Sequence, residues 1–271
     1  MPKNIALGCG ATTEHQKKYI PNCFHDSRGN SIYGLIGDSK SMALFPGLMR
    51  TAKKDAYWTY AGGTSKINGK NNITMPVLTD DNDYLIYQEA SKSSIEVLAE
   101  DKNIKYVVYV IAARAIFQLK TDYHIHDLPN SKKYQVAYDG LMAGVKQFID
   151  SGKKVVFVID NPTLPYPEDC LVRNVQFPLI GSKLANINKG CEITLSEHYA
   201  LSKQYNKLLE EIKSSNPERI YLFDTVNILC DEEKCKQTKD GNYLYGVTDH
   251  ISDYASGVVG NKLNEYLKTL K

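Results

Sequence analysis

Long hydrophobic runs are missing from this chain of 271 residues. No stretch approaches the ~18 consecutive apolar residues that a membrane-spanning helix needs. The opening, Met1-Pro2-Lys3-Asn4, carries no apolar core of a secretory signal. A charge excess of one sign is missing too: 33 Lys and Arg stand against 31 Asp and Glu, a formal net charge of +2. That balance implies no basic face, so nucleic acid is not an expected partner. Internal repeats and low-complexity tracts are absent, which leaves one large domain or one domain with an appendage. What is present is ordinary for a globular protein with a substantial core: 42% hydrophobic and 24% charged residues.

Six cysteines are present: Cys9, Cys23, Cys170, Cys191, Cys230 and Cys235. An even count fits three disulfides and an oxidising compartment, or six reduced thiols in a cytosolic protein. The sequence-local pairing 9–23, 170–191 and 230–235 is the simplest connectivity, and all six fall in segments that read as loops. Cys9, His15, Cys23 and His25 do not have the spacing of the usual zinc fingers. His124 and His126 are spaced for one face of a strand, without an evident third ligand, and read as part of a solvated loop. No metal or organic cofactor is indicated.

Five short apolar runs read as strands: Ser31–Ile36, Ala56–Tyr60, Tyr106–Ala112, Lys154–Asp160 and Arg219–Phe223. Two of them, Val107-Val108-Tyr109-Val110 and Val155-Val156-Phe157-Val158, are continuously apolar, as in parallel strands buried on both faces. Helical patterns lie between them over residues 40–53, 83–100, 133–152, 196–214 and 252–270, with Ser196 as a cap and Pro46 as an expected kink. The alternation predicts an α/β fold, a three-layer doubly wound sandwich around a five-stranded, mainly parallel sheet, with ligands at the carboxyl edge of the strands. Residues 1–30 show no periodicity and read as an extended lead-in packed on a domain spanning 31–271. The long segment 162–195 reads as the rim of a site.

Ser39 follows Leu35-Ile36-Gly37-Asp38, where a strand gives way to a helix. Its hydroxyl is then near outward-pointing backbone N–H groups, a position that suits a nucleophile whose oxyanion those groups stabilise. Alternatively Asp38 or Ser39 merely caps the helix. Gly62 and Gly63 follow the second strand and form either a plain turn or a close backbone approach. Asp249-His250 precedes the last helix.

Taken in order, Gly37-Asp38-Ser39 with Pro46, the run Val107 to Arg114, Asp160-Asn161-Pro162-Thr163-Leu164-Pro165, Leu229-Cys230 with Cys235, and Asp249-His250-Ile251-Ser252 form one pattern. It resembles the SGNH (GDSL-like) hydrolases, and within them the SGNH domain attached to acyltransferase-3 membrane proteins that O-acetylate bacterial surface polysaccharides. The resemblance covers roughly residues 31 to 270. It implies a serine acyltransferase or esterase with Ser39 as nucleophile and His250 as base. Ser39, Gly62 or Gly63 and Arg114, which falls where many relatives have Asn, would be the oxyanion donors. Arg114 would otherwise grip an acidic sugar or serve as an ion-pair partner. The family's acid stands three residues before the histidine, a position held here by Val247. Either Asp249 serves instead, or a backbone carbonyl orients the imidazole and the chain works as a Ser-His dyad. The implied acceptor is a polysaccharide such as lipopolysaccharide O-antigen, and the implied acyl donor comes from the membrane acyltransferase-3 domain. The implied location is extracytoplasmic, periplasmic, as a domain excised from a membrane protein and monomeric alone. A carbohydrate acetylesterase and a catalytically weak glycan-binding module are the competing readings, and the 19 tyrosines fit sugar contact and core packing equally.

Overall fold

A computed structural model describes residues 3–76, 85–117, 131–165, 191–246 and 249–270. His124, His126, Cys170, Val247 and most of segment 162–195 lie outside the described residues. The architecture is built on a seven-stranded sheet in the order β1-β2-β4-β3-β7-β8-β10. Five strands are the ones read from the sequence: β3 (Ser31–Gly37), β4 (Tyr57–Gly62), β7 (Tyr106–Val110), β8 (Lys154–Val158) and β10 (Ile220–Phe223). All neighbouring pairs among them are parallel. Their valine-rich interiors are buried on both faces, as a parallel sheet covered by helices requires.

The two further strands correct the reading of residues 1–30. Instead of an extended lead-in, that segment forms β1 (Ile5–Leu7), the short helix α1 (Glu14–Tyr19) and β2 (Asn22–Asp26). β2 joins β4 antiparallel and β1 joins β2. The disulfide Cys9–Cys23 ties the segment together. Its strands are too short and too polar for periodicity to reveal, and its helix is marked only by a Thr13–Gln16 capping box. A hairpin of β5 (Thr64–Ile67) and β6 (Lys70–Ile73) follows β4.

Helices α2 (Ser39–Thr51), α3 (Leu85–Glu100), α5 (Tyr134–Asp150), α6 (Leu195–Ser215) and α8 (Asp253–Thr269) match the expected helical patterns within a few residues. The short α4 (Ala113–Ile116) and α7 (Val226–Leu229) follow β7 and β10. α6 is capped by Thr194, not Ser196, in a reciprocal pair with Glu197. Between β8 and α6 lies β9 (Glu192–Thr194), which pairs with β11 (Lys234–Lys236). The disulfide Cys230–Cys235 closes the turn between α7 and β11. The two-residue strands β12 (Thr238–Lys239) and β13 (Asn242–Tyr243) complete the chain before α8. No helix among the described residues is long and apolar enough to cross a membrane.

The contact that matters most for the site is between α2 and α8. α2 runs through Pro46 as one helix, and at Gly47 it meets α8 backbone to backbone. A methyl on Gly47 would run into the Ser256 carbonyl, and one on Gly260 would lie 2.7 Å from the Gly47 carbonyl carbon. Ser256 Oγ accepts from Gly47 N at 2.9 Å and donates to Leu44 O at 3.0 Å. Further along, Asn264 receives the Trp58 indole N–H at 2.9 Å and donates to Leu48 O and Thr51 Oγ1. These polar groups are buried and matched, so they fix one register between the helices. Gly260→Ala is expected to lower the unfolding free energy by about 1–3 kcal/mol through overpacking against backbone that cannot rotate away. Urea denaturation of the variant beside the parent chain measures it, and an unchanged midpoint would show that the helices move apart without cost.

Candidate active site

Ser39 and His250 are brought to the same edge of the sheet by the starts of those two helices. Asp38 ends the turn after β3 and caps α2, accepting from Lys40 N at 2.9 Å through one carboxylate oxygen. Its other oxygen accepts from Ala112 N at 3.0 Å, at the end of β7. The cap reading of Asp38 therefore holds, and it leaves Ser39 as the first helical residue, half-buried, at the positive end of the helix. Burial pushes the Asp38 carboxyl up to about 6, against the two N–H groups that favour its charged form.

His250 sits in a tight turn that precedes α8. Tyr245 bridges Ile251, Gly246 N donates to His250 O at 2.8 Å, and Ser252 caps the helix. The residue before it, Asp249, is fully buried. Its backbone carbonyl accepts from Lys40 Nζ at 2.8 Å and from Asn161 Nδ2 at 3.0 Å. Its carboxylate takes both Nη atoms of Arg114 and lies 3.0 Å from Lys40 Nζ. Lys40 Nζ also meets Asp160 Oδ1 at 3.1 Å and Asn161 Oδ1 at 3.1 Å, while Asp160 Oδ2 accepts from Ala113 N. One buried cluster thus joins the residue after Ser39, the residue before His250, and the ends of β7 and β8. Burial alone would raise the Asp249 carboxyl, but the charges of Lys40 and Arg114 outweigh it and hold the group below the usual carboxylate range. Burial works against the charged Lys40 as well, and Asp160 and Asp249 reverse the balance.

This geometry settles where each residue named from the sequence stands. Asp249 Oδ1 is 3.7 Å from His250 Nδ1, outside hydrogen-bond range, so its charge reaches the imidazole, and its carboxylate also meets Lys40, Arg114 and Thr163 Oγ1. Arg114 stands as the ion-pair partner of Asp249. Gly63, at φ +94°, donates its N–H to Gly37 O at 2.6 Å. Gly62 packs against Gly37 so closely that a Cβ would lie 2.8 Å from the Gly37 oxygen. Lys40, Asp160 and Asn161 were not read as site residues. A lysine in the first turn of a helix opposes the helix dipole, and that misplacement is the one signal that could have singled Lys40 out.

The chain belongs to the SGNH domain family, described as fused to AT3 domains, whose family model matches residues 8–265. Among solved structures it is similar to the periplasmic domain of the lipopolysaccharide acetyltransferase from Salmonella ser. Paratyphi A. The identity is 16%, over 89% of this chain and 85% of that one, with a TM-score of 0.56. It also matches a putative acylhydrolase from Bacteroides fragilis at 14% identity over 95% and 94% of the two chains, with a TM-score of 0.45. No curated protein matches.

Two outcomes follow from the cluster. Lys40→Met leaves the buried Asp160 and Asp249 with one cation fewer, and is expected to cost about 3–5 kcal/mol of stability, read by urea denaturation. A loss under 1 kcal/mol (roughly an exposed pair) would mean that the cluster is solvated. Asp38 sets a pH dependence of the opposite kind. Its folded value, about 6, lies above the ordinary 3.8, so the unfolded chain releases this proton first. Its contribution is full below the ordinary value and is lost as pH rises toward the folded one. Stability should therefore fall between about pH 4 and 6, and Asp38→Asn should remove that fall in thermal melts taken across the range.

Proposed function

We propose that the chain is an O-acetyltransferase domain that moves an acetyl group to a hydroxyl of a bacterial surface polysaccharide through an acyl-enzyme on Ser39. The observation that carries this reading is the Lys40–Asp249 tie, which locks the residues beside Ser39 and His250 to each other. Membership of a family fused to acyltransferase-3 domains supports a donor acetyl group supplied by a membrane partner domain, and an extracytoplasmic location. The two described disulfides, Cys9–Cys23 and Cys230–Cys235, fit an oxidising compartment. The fold shared with a lipopolysaccharide acetyltransferase domain makes a lipopolysaccharide-type acceptor the first to test.

In this mechanism His250 takes the Ser39 proton as Oγ attacks the acyl carbonyl carbon. The carbonyl oxygen becomes an oxyanion facing the Ser39 N–H at the start of α2, with Gly62 as the proposed second donor, since the Gly63 N–H is engaged. The intermediate collapses, His250 gives its proton to the leaving group, and Ser39 holds the acetyl ester. The acceptor hydroxyl then gives its proton to His250 and attacks the ester. Collapse frees Ser39 Oγ, which recovers the proton, and the acetyl group leaves on the sugar. Water in place of the sugar gives hydrolysis.

Stoichiometric covalent labelling by an active-site serine phosphonate is expected for the parent chain and should vanish in Ser39→Ala and His250→Ala. Failure to label a folded, disulfide-intact chain would overturn the acyl-enzyme reading and leave a glycan-binding module. Acetyl transfer from a chromogenic acetyl ester to polysaccharide, measured against acetate release, separates transferase from esterase.

A further inference from the structure

At the carboxyl end of β8, on the side facing α6, the surface forms a small half-open recess of about 30 Å³, room for a hydroxyl-sized group. Ala113, Ile193, Leu201 and Tyr205 give it an apolar floor, and Asp160, Asn161, Thr163, His198 and Ser202 give it polar walls. His198 is the anomaly. It sits in the first turn of α6, 6% exposed, and among the described residues its Nε2 has no hydrogen-bond partner. Leaving such a nitrogen unpaired in the folded state costs about 1–3 kcal/mol. Burial holds the ring below its ordinary value, against the opposing charges of Asp160 and Asp224, so it is neutral at neutral pH and offers one donor and one acceptor.

We propose that this recess is the acceptor subsite, taking a hydroxyl-bearing arm of the sugar with His198 and Asp160 as its hydrogen-bonding partners; this assignment rests on the acyl-transfer reading of Ser39. The chemistry of the walls selects the ligand. Each Asp160 oxygen already has one partner, Lys40 for one and Ala113 N for the other, and keeps a further lone pair. Asn161 spends its amide on Asp249 O and Pro162 O and its oxygen on Lys40. Ser202 Oγ donates to His198 O and accepts from Asn206. The remaining capacity is mostly acceptor capacity beside a carboxylate, which favours a neutral hydroxyl donor over an anion. Lys40 balances Asp160, which leaves little pull on a cation.

Placement supports the same assignment. β8 is two strands from β3 in the sheet, so the recess lies roughly 10 Å along the sheet edge from the Ser39 column. A sugar seated by one hydroxyl in the recess would extend along that edge toward the acyl-enzyme. Asp160 and Asn161 are shared between the recess and the cluster that holds Asp249, so the occupied subsite and the histidine turn rest on the same two side chains.

The test uses methyl hexopyranosides as the probe and the His198 ring as the reporter. Proton NMR of the whole chain, with His198→Gln to assign the ring, should show the His198 resonance moving saturably as the glycoside is added. Leu201→Phe, which narrows the mouth without touching the cluster, should weaken binding about tenfold or more. His198→Leu should do the same, as expected for a lost hydrogen bond at a buried side chain. In transfer assays both variants should lower the ratio of acetyl transfer to hydrolysis by a similar factor, while the rate of Ser39 phosphonate labelling changes less than about twofold. A His198 resonance that stays fixed to the solubility limit of the glycoside, or an unchanged affinity in folded Leu201→Phe, overturns the subsite. Failure of Ser39 to label while the resonance still moves would overturn the acyl-transfer reading and leave the sugar site standing.

Discussion

The arrangement at the sheet edge depends on the buried contact between Lys40 and Asp249. Lys40 follows Ser39 and Asp249 precedes His250, so one ammonium group governs how far apart the serine and the histidine stand. The contact is double: Nζ reaches both the backbone carbonyl and the carboxylate of Asp249. Isolated, either charge would be costly to bury, and a buried pair often contributes little net stability. What it contributes here is uniqueness. With Arg114 on the outer side and Asn161 on the carbonyl, the turn carrying His250 has one low-energy placement relative to α2. Two cations face three carboxylates, Asp38, Asp160 and Asp249. That excess of negative charge acts with burial to push Asp38 upward, while Asp249, nearest both cations, is pushed down.

The helix pair behind the cluster makes this possible. α2 starts at Ser39 and α8 starts three residues after His250, so any slide of one helix along the other would change the geometry of the two proposed catalytic groups. Gly47 and Gly260 let the backbones touch, and the Ser256 and Asn264 side chains span the crossing with matched hydrogen bonds. Apolar packing alone tolerates small shifts, because dispersion is weakly directional. Buried hydrogen bonds do not, because a slide of one residue leaves each donor facing the wrong partner.

Much of this was legible in the sequence, for identifiable reasons. The valine runs 107–110 and 155–158 announce parallel strands because nothing else buries both faces over so few residues, and the five-stranded parallel core follows from them. The placement of Ser39 at a strand end and of His250 just before the last helix was legible from the order of short motifs around them. The two antiparallel strands of residues 5–7 and 22–26 were not, since their residues alternate too weakly to mark a buried face. Lys40, Asp160 and Asn161 were missed for a different reason. Their partners across the cluster lie 47 to 209 residues away in sequence, and apart from the position of Lys40 in the first turn of a helix nothing local marks them as buried. His198 lies at helical spacing from Tyr205 and Ile212 on the buried stripe of α6, so it reads as core, and only the missing partner of its Nε2 separates it from an ordinary buried histidine.

In the proposed acyl transfer, the displaced acid bears on how Ser39 would be activated. In a triad the orienting carboxylate accepts a hydrogen bond from the imidazole and fixes its tautomer, and loss of that bond can cost about 10⁴-fold in rate. Asp249 stands in a different relation to His250, its Oδ1 3.7 Å from Nδ1 and its carboxylate paired with Lys40 and Arg114. Those cations hold its carboxyl below the usual carboxylate range and at the same time offset its field. Its electrostatic help to a developing imidazolium is therefore partial, and its larger effect is on position. The backbone on either side of the ring is placed by the Asp249 cluster before it and by the Ser252 cap after it.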